Sequence, residues 1–155
     1  MLSILMLCHG NICRSPLAEY LLRDRIVKED LPLSTASAAV STEELGNPVY
    51  PPVRRILEKK GIDCSKKRAR RITREDLENF DLLLAMDAQN LRLLTRMFGP
   101  LPGKVKLLLD FTERKGEEIA DPWYTGGFTE CLADIEEGLD GLINTLKKSH
   151  FKPLL

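Results

Sequence analysis

Histidine is scarce in this chain. His9 and His150 are the only two among 155 residues. Neither falls with cysteines or carboxylates at metal-ligand spacing, so no metal and no other cofactor is expected. Net charge is also missing, because 23 Lys and Arg are balanced by 23 Asp and Glu. Bulk electrostatics therefore gives no pull toward nucleic acid or an anionic membrane surface. No apolar run approaches a membrane span. The apolar first eight residues have neither a basic leader nor a small-residue cleavage site, so a cytoplasmic location is expected. Cysteine is limited to four, two of them within one short loop, which does not look like a secreted disulfide framework. With no repeat, linker or low-complexity tract, 43% hydrophobic and 30% charged residues describe one globular domain over residues 1–155.

The richest stretch is Cys8-His9-Gly10-Asn11-Ile12-Cys13-Arg14-Ser15-Pro16, between the apolar run Ser3 to Leu7 and the pattern Leu17 to Leu22. A run too short for a helix, a Gly/Asn loop, and then Ser-Pro opening a helical pattern read as strand, loop and helix. At a helix N-terminus, unpartnered N–H groups and the macrodipole favour an anion, and phosphate is the natural one. If the loop backbone curls into a nest, Cys8 lies at its floor and Arg14 closes one side. Such dipoles and a guanidinium favour the thiolate, the nucleophilic form of cysteine. Arg suits the position better than Lys because its planar fork holds two phosphoryl oxygens at once. Gly10 is expected to supply an unusual φ, and Asn11 to tolerate a left-handed one while its amide ties down nearby backbone. By chance, Cys-x5-Arg-[Ser/Thr] is expected only about 0.03 times in this composition, so the spacing is informative. Cys13 is either a spectator or the partner of Cys8 in a reversible disulfide that shields it from over-oxidation. His9 is not needed as a base in thiolate chemistry. Cys64 and Cys131 read as structural.

Elsewhere the pattern alternates. A first helix is expected over Ser15 to Lys28, a second strand over Leu33 to Ala38, and an ordered, Pro-rich loop over Val40 to Pro52. A short helix over Val53 to Leu57 ends at Gly61. Lys66 to Arg71 is the one charge run, read as a solvated segment before a helix, with a docking patch for acidic or phosphorylated partners as the alternative. Thr73 to Asp76 resembles a capping box. Asp81 to Met86 reads as a buried third strand, followed by a helix capped by Asp87. Lys104 to Phe111 reads as a fourth strand, and a polar loop from Thr112 to Gly127 leads to a last helix from Phe128 to Leu146. This order implies an α/β fold with a four-stranded parallel sheet, helices on both faces, and the site at the strands' carboxyl ends, where Cys8 falls.

The last loop holds Asp121-Pro122-Trp123-Tyr124. Folded back over the sheet edge, Asp121 is placed to protonate a departing oxygen and later to take a proton from water. Trp123 and Tyr124 offer flat apolar surface to a ring above the anion pocket.

Together these segments resemble the low-molecular-weight protein tyrosine phosphatases. The likeness spans nearly the whole chain, including Ser41 to Pro48 and Met86 to Leu91. It implies a phosphate-binding loop after the first strand, a phosphocysteine on Cys8, phosphate binding by Arg14, and Asp121 as acid and then base. His9, Gly10, Asn11, Ile12, Cys13 and Ser15 would form the substrate loop, Ser15 helping to stabilise the departing thiolate. Glu43, Trp123 and Tyr124 would line the cleft. Cys13 would pair with Cys8 under oxidation. The expected partners are phosphotyrosine-containing proteins, not nucleic acid or membrane, and the expected state is a monomer or weak dimer.

Two departures stand out. Many members carry an aromatic residue where Glu43 stands, and animal members carry a loop-supporting His where Lys67 stands. Arginine-phosphate phosphatases tend to have Thr at the position of Ile12, so Ile12 favours an aryl phosphate. Two other classes share part of this pattern. Thiol-dependent arsenate reduction uses a similar loop but relays a disulfide outward through further cysteines, and neither Cys64 nor Cys131 lies in a paired motif. A phosphoprotein-binding module would need neither Cys8 nor Asp121.

Overall fold

The computed structural model describes residues 1–153; Leu154 and Leu155, the last residues of the expected 1–155 domain, lie outside the described residues. Four strands form one sheet: β1 (Leu2–Cys8), β2 (Leu33–Ala39), β3 (Leu82–Ala85) and β4 (Val105–Leu107). Their order is β2-β1-β3-β4 and every pairing is parallel. β1 is central, with Ile4 opposite Thr35 on one side and Leu82 on the other. Strand side chains point alternately to opposite faces, so β1 feeds two cores. Leu2, Ile4, Met6 and Cys8 pack with α1 (Arg14–Glu29) and the last helix, α6 (Phe128–Lys148). Leu5 and Leu7 pack with Leu77 of α3 (Arg74–Asn79) and Leu94 of α4 (Ala88–Phe98). Both faces of β1 are thus sealed, at roughly 1.5–3 kcal/mol per buried aliphatic side chain. This fixes the height at which Cys8 leaves the sheet.

The elements form for legible reasons. Pro51 and Pro52 open α2 (Pro51–Lys59), and Gly61, in left-handed φ, lies just past its end. Thr73 and Asp76 exchange capping hydrogen bonds at the start of α3, as the capping-box pattern suggests. Among the described residues no helix is long and apolar enough to cross a membrane.

Three expectations are corrected. The fourth strand ends at Leu107, not Phe111, and Leu108–Phe111 form a 3-10 turn. The turn lies against Gly138 and Gly141 of α6, where any Cβ would collide with Leu108 and with the Phe111 carbonyl. The run of apolar residues from Leu107 to Leu109 serves this close helix contact instead of a longer strand. The Thr112 to Gly127 loop is not all irregular, since Pro122–Thr125 form one helical turn, α5, capped by Asp121. Finally, Lys66 to Arg71 is neither a simple solvated run nor an open basic patch. Ala69 is buried, Lys67 turns inward, and Arg70 is held by Asp76 at 2.8 Å. The segment is stitched to the sheet, with the Ala39 N–H donating to the Arg70 carbonyl and Ile72 N–H donating back to Ala39.

Candidate active site

Between Cys8 at the end of β1 and Arg14 at the start of α1, the chain bends around the Cys8 sulfur. The backbone N–H groups of Asn11 and Ser15 each donate to Sγ at 3.3 Å, and Ser15 Oγ lies 3.0 Å from it. Asn11 makes the bend possible at φ 61°, a left-handed conformation that asparagine tolerates. Gly10 does not share that conformation, contrary to expectation. Its importance is space, because a Cβ there would stand 3.2 Å from Cγ of Glu44.

The bend is held from behind by a buried network. Asn11 Nδ2 donates to Ser15 Oγ at 2.8 Å and to Ser37 Oγ at 2.9 Å, while its Oδ1 accepts from the Arg70 N–H at 3.1 Å. Ser37 Oγ in turn donates to buried Glu19 at 2.5 Å. Lys67 Nζ donates to the Ser37 carbonyl at 3.0 Å and lies 3.7 Å from Glu19. Burial draws the Lys67 pKa down, with Glu19 opposing it. Lys67 thus supports the loop with an ammonium.

Arg14 is 2% exposed and spans the site. One terminal nitrogen donates to Asp87 at 2.7 Å and to the Ile119 carbonyl at 2.8 Å, and the other lies 3.4 Å from Asp121. Burial opposes its charge, yet Cys8, Asp87 and Asp121 outweigh that cost and raise its pKa above the usual guanidinium value. Its Nε is buried without a hydrogen-bond partner among the described residues. An unpartnered buried donor is costly, on the order of 1–3 kcal/mol, and an acceptor placed against it would recover that cost.

These groups line a cavity of about 120 Å³ with His9, Gly10, Ile12, Cys13, Glu43, Glu44, Trp123 and Tyr124. Asn11 and Ser15 do not line it; they sit behind the sulfur. His9 Nε2 lies 3.0 Å from Glu43 Oε2, so the acid at the unusual position is tied to the loop itself. Trp123 and Tyr124 are 47% and 76% exposed at the mouth, and the Trp123 ring rests 4.7 Å from that of Tyr50. All four cysteines are free thiols. Burial, with Cys8 next, pushes Cys13 well above the ordinary thiol range, and burial pushes Cys131 up to about 12. The motifs did not announce Glu19, Ser37, Asp87 or the Ile119 carbonyl. Asp87 was visible as a cap and as part of the Met86 to Leu91 stretch, but not as a partner of Arg14; it fills the cap role by accepting from the Asn90 N–H at 2.8 Å.

A parallel α/β sheet that ends in an amide-lined bowl, with a thiol at its floor and an arginine on its wall, defines a protein built to handle phosphoryl groups through cysteine. Comparison with known proteins gives the family. The model of the low molecular weight phosphotyrosine protein phosphatases matches residues 3–152, and the chain belongs to this family of cysteine-dependent, metal-independent hydrolases. The low molecular weight protein-tyrosine-phosphatase YfkJ of Bacillus subtilis is 37% identical over 152 residues, 96% of this chain and 97% of that one. Its crystal structure superposes with a TM-score of 0.90 over 96% of each chain. The rat low molecular weight phosphotyrosine protein phosphatase is 40% identical over 127 residues, 79% of this chain and 80% of its own. A cysteine-to-serine mutant of the YwlE arginine phosphatase, with a phosphorylated active-site serine, is 28% identical with a TM-score of 0.85, over 95% of this chain and 97% of that one.

Proposed function

We propose that the chain hydrolyses phosphotyrosine on proteins, and aryl phosphates generally, through a phosphocysteine on Cys8. The observation that carries this reading is the buried, unpartnered Nε of Arg14, a residue that lines the same cavity as a Cys8 sulfur already receiving two backbone N–H groups. That donor set matches a phosphoryl group bound over the thiolate. Cys8 Sγ attacks phosphorus in line, an S–P bond forms, and the P–O bond to the phenol breaks. Asp121, protonated at the start, gives its proton to the departing oxygen. Water then attacks phosphorus and loses a proton to Asp121, the S–P bond breaks, and inorganic phosphate leaves with Cys8 returned as thiolate. Ser15 Oγ and the Asn11 and Ser15 N–H groups stabilise sulfur as it departs.

Glu43, at the rim, favours a second reading in which the phosphate is carried by a guanidinium, as in phosphoarginine. Its side chain is 65% exposed and lines the cavity beside His9. Against it stands apolar Ile12, which suits a ring better than a second charge. p-Nitrophenyl phosphate and a phosphotyrosyl peptide should be turned over without added metal, and Cys8→Ser should abolish turnover of both. Full activity in Cys8→Ser would end the reading, and a higher kcat/KM on phosphoarginine would move it to the second one.

A further inference from the structure

Beyond Trp123 a second concavity opens, a groove of about 500 Å³ that shares Ile12, Glu44 and Trp123 with the first cavity and therefore adjoins it. Its wall is apolar, made by Pro48, Val49, Tyr50 and Pro51, with the Tyr50 ring set against Trp123. Four charged side chains border it, and three are engaged: Arg54 pairs with Glu58 at 2.9 Å, and Glu44 accepts from the Asn47 amide at 2.6 Å. The fourth, Arg55, is exposed and has no ion-pair partner among the described residues. Glu44 stands at the end next to the bowl, since it lines both concavities, whereas Arg55 borders the groove alone.

The mouth also gathers exposed apolar surface in Trp123 and Tyr124. Such grouping marks contact with a macromolecule, since a small aryl phosphate would be satisfied by the bowl.

We infer that this groove is a subsite for the substrate polypeptide, taking an acidic side chain near the phosphotyrosine, with its stem on Tyr50 and Trp123 and its carboxylate on Arg55. The inference rests on the phosphotyrosine reading and adds a sequence preference to it. The groove adjoins the bowl, so the acid lies within about three residues of the phosphotyrosine, roughly 10 Å of extended chain. An exposed charge pair of this kind shifts affinity by about threefold, and the shift weakens in high salt.

Phosphotyrosyl peptides in an alanine background, carrying Glu or Lys at each of the three positions on either side, test this. On one side of the phosphotyrosine the wild type should prefer Glu over Lys by about threefold in kcat/KM, mainly through KM. Arg55→Glu should invert that ratio, and Arg55→Lys should keep it. Equal ratios in wild type, a preference for Lys, or a preference for Glu that survives Arg55→Glu would each overturn the inference. p-Nitrophenyl phosphate has no flanking chain and reports the bowl alone. Its hydrolysis by the wild type with no Glu preference would leave the catalytic reading standing and remove the subsite. Failure to hydrolyse it would remove both.

Discussion

The two segments that face each other across the cavity are built on opposite plans. The Cys8 to Ser15 bend is buried and fixed by hydrogen bonds from at least four other parts of the chain. Ser37, backed by Glu19, and the Arg70 N–H hold Asn11 from behind, and the Ser41 and Tyr50 N–H groups hold the carbonyls of His9 and Ile12. The Asp121 to Thr125 turn is short and mostly exposed. It is tied by the Arg14 guanidinium, by the contact of Trp123 with Tyr50, and by its own cap. Binding an anion needs amides fixed before it arrives, whereas giving and taking a proton needs a carboxyl that can meet first a leaving oxygen and then a water. The difference suits each to the part proposed for it.

Changes on either side should sharpen this contrast. The largest effect is expected from Asp121→Ala, about 10²–10⁴-fold in kcat, greatest for poor leaving groups and slight for activated phenols, with thermal stability nearly unchanged. A flat dependence on leaving-group pKa would argue against the exposed side as the proton donor. On the buried side, Asn11→Ala should lower activity and stability together. It removes a left-handed φ preference and leaves Ser37 and the Arg70 N–H short of partners, at about 2–3 kcal/mol by chemical denaturation. A loss of kcat at full stability would show that the bend does not need that brace. Lys67→Met leaves the Glu19 carboxylate without its second cation, since Arg23 alone remains beside it. It should cost about 1–3 kcal/mol, and Glu19→Gln in the same chain should recover part of the loss in a double-mutant cycle.

The smallest effect concerns pH. Burial holds the Cys131 thiol protonated up to about 12, above its unfolded value, so the native state binds more protons between those two values. Stability contributed in this way is present at neutral pH and falls as pH rises above about 9, by up to about 1.4 kcal/mol per pH unit. Urea midpoints should decline across that window, and less steeply in Cys131→Ala.

How much of this was legible in the sequence follows from where the parts lie. Cys8, Arg14 and Ser15 sit in one nine-residue run, and Asp121 sits in a four-residue motif, so spacing exposed them. β1 and β3 were legible from apolar runs and β2 from a short stretch of small and β-branched residues after the first helix, but an apolar run misled at Leu107 to Phe111, where burial against α6 looks identical to burial in a sheet. The brace was hidden because Glu19, Ser37 and Lys67 come from a helix, a strand and a loop with no shared period. One signal was available: Glu19 lies four residues after Ser15, on the same helical face, among residues that are otherwise apolar. The inward turn of Lys67 and Arg70 was masked by their charged neighbours Lys66, Arg68 and Arg71.

The guanidinium of Arg14 reaches Asp87 after β3, the carbonyl of Ile119 two residues ahead of the acid, and Asp121 itself, while keeping Nε for another acceptor. An acceptor docked on that nitrogen would therefore be coupled to the loop that carries Asp121, and the two proposed halves of the reaction share one hinge pin. Lysine, with a single nitrogen at its tip, could neutralise the anion but could not also set how far the carboxyl stands from it. Replacement by lysine should therefore disturb proton delivery as well as affinity.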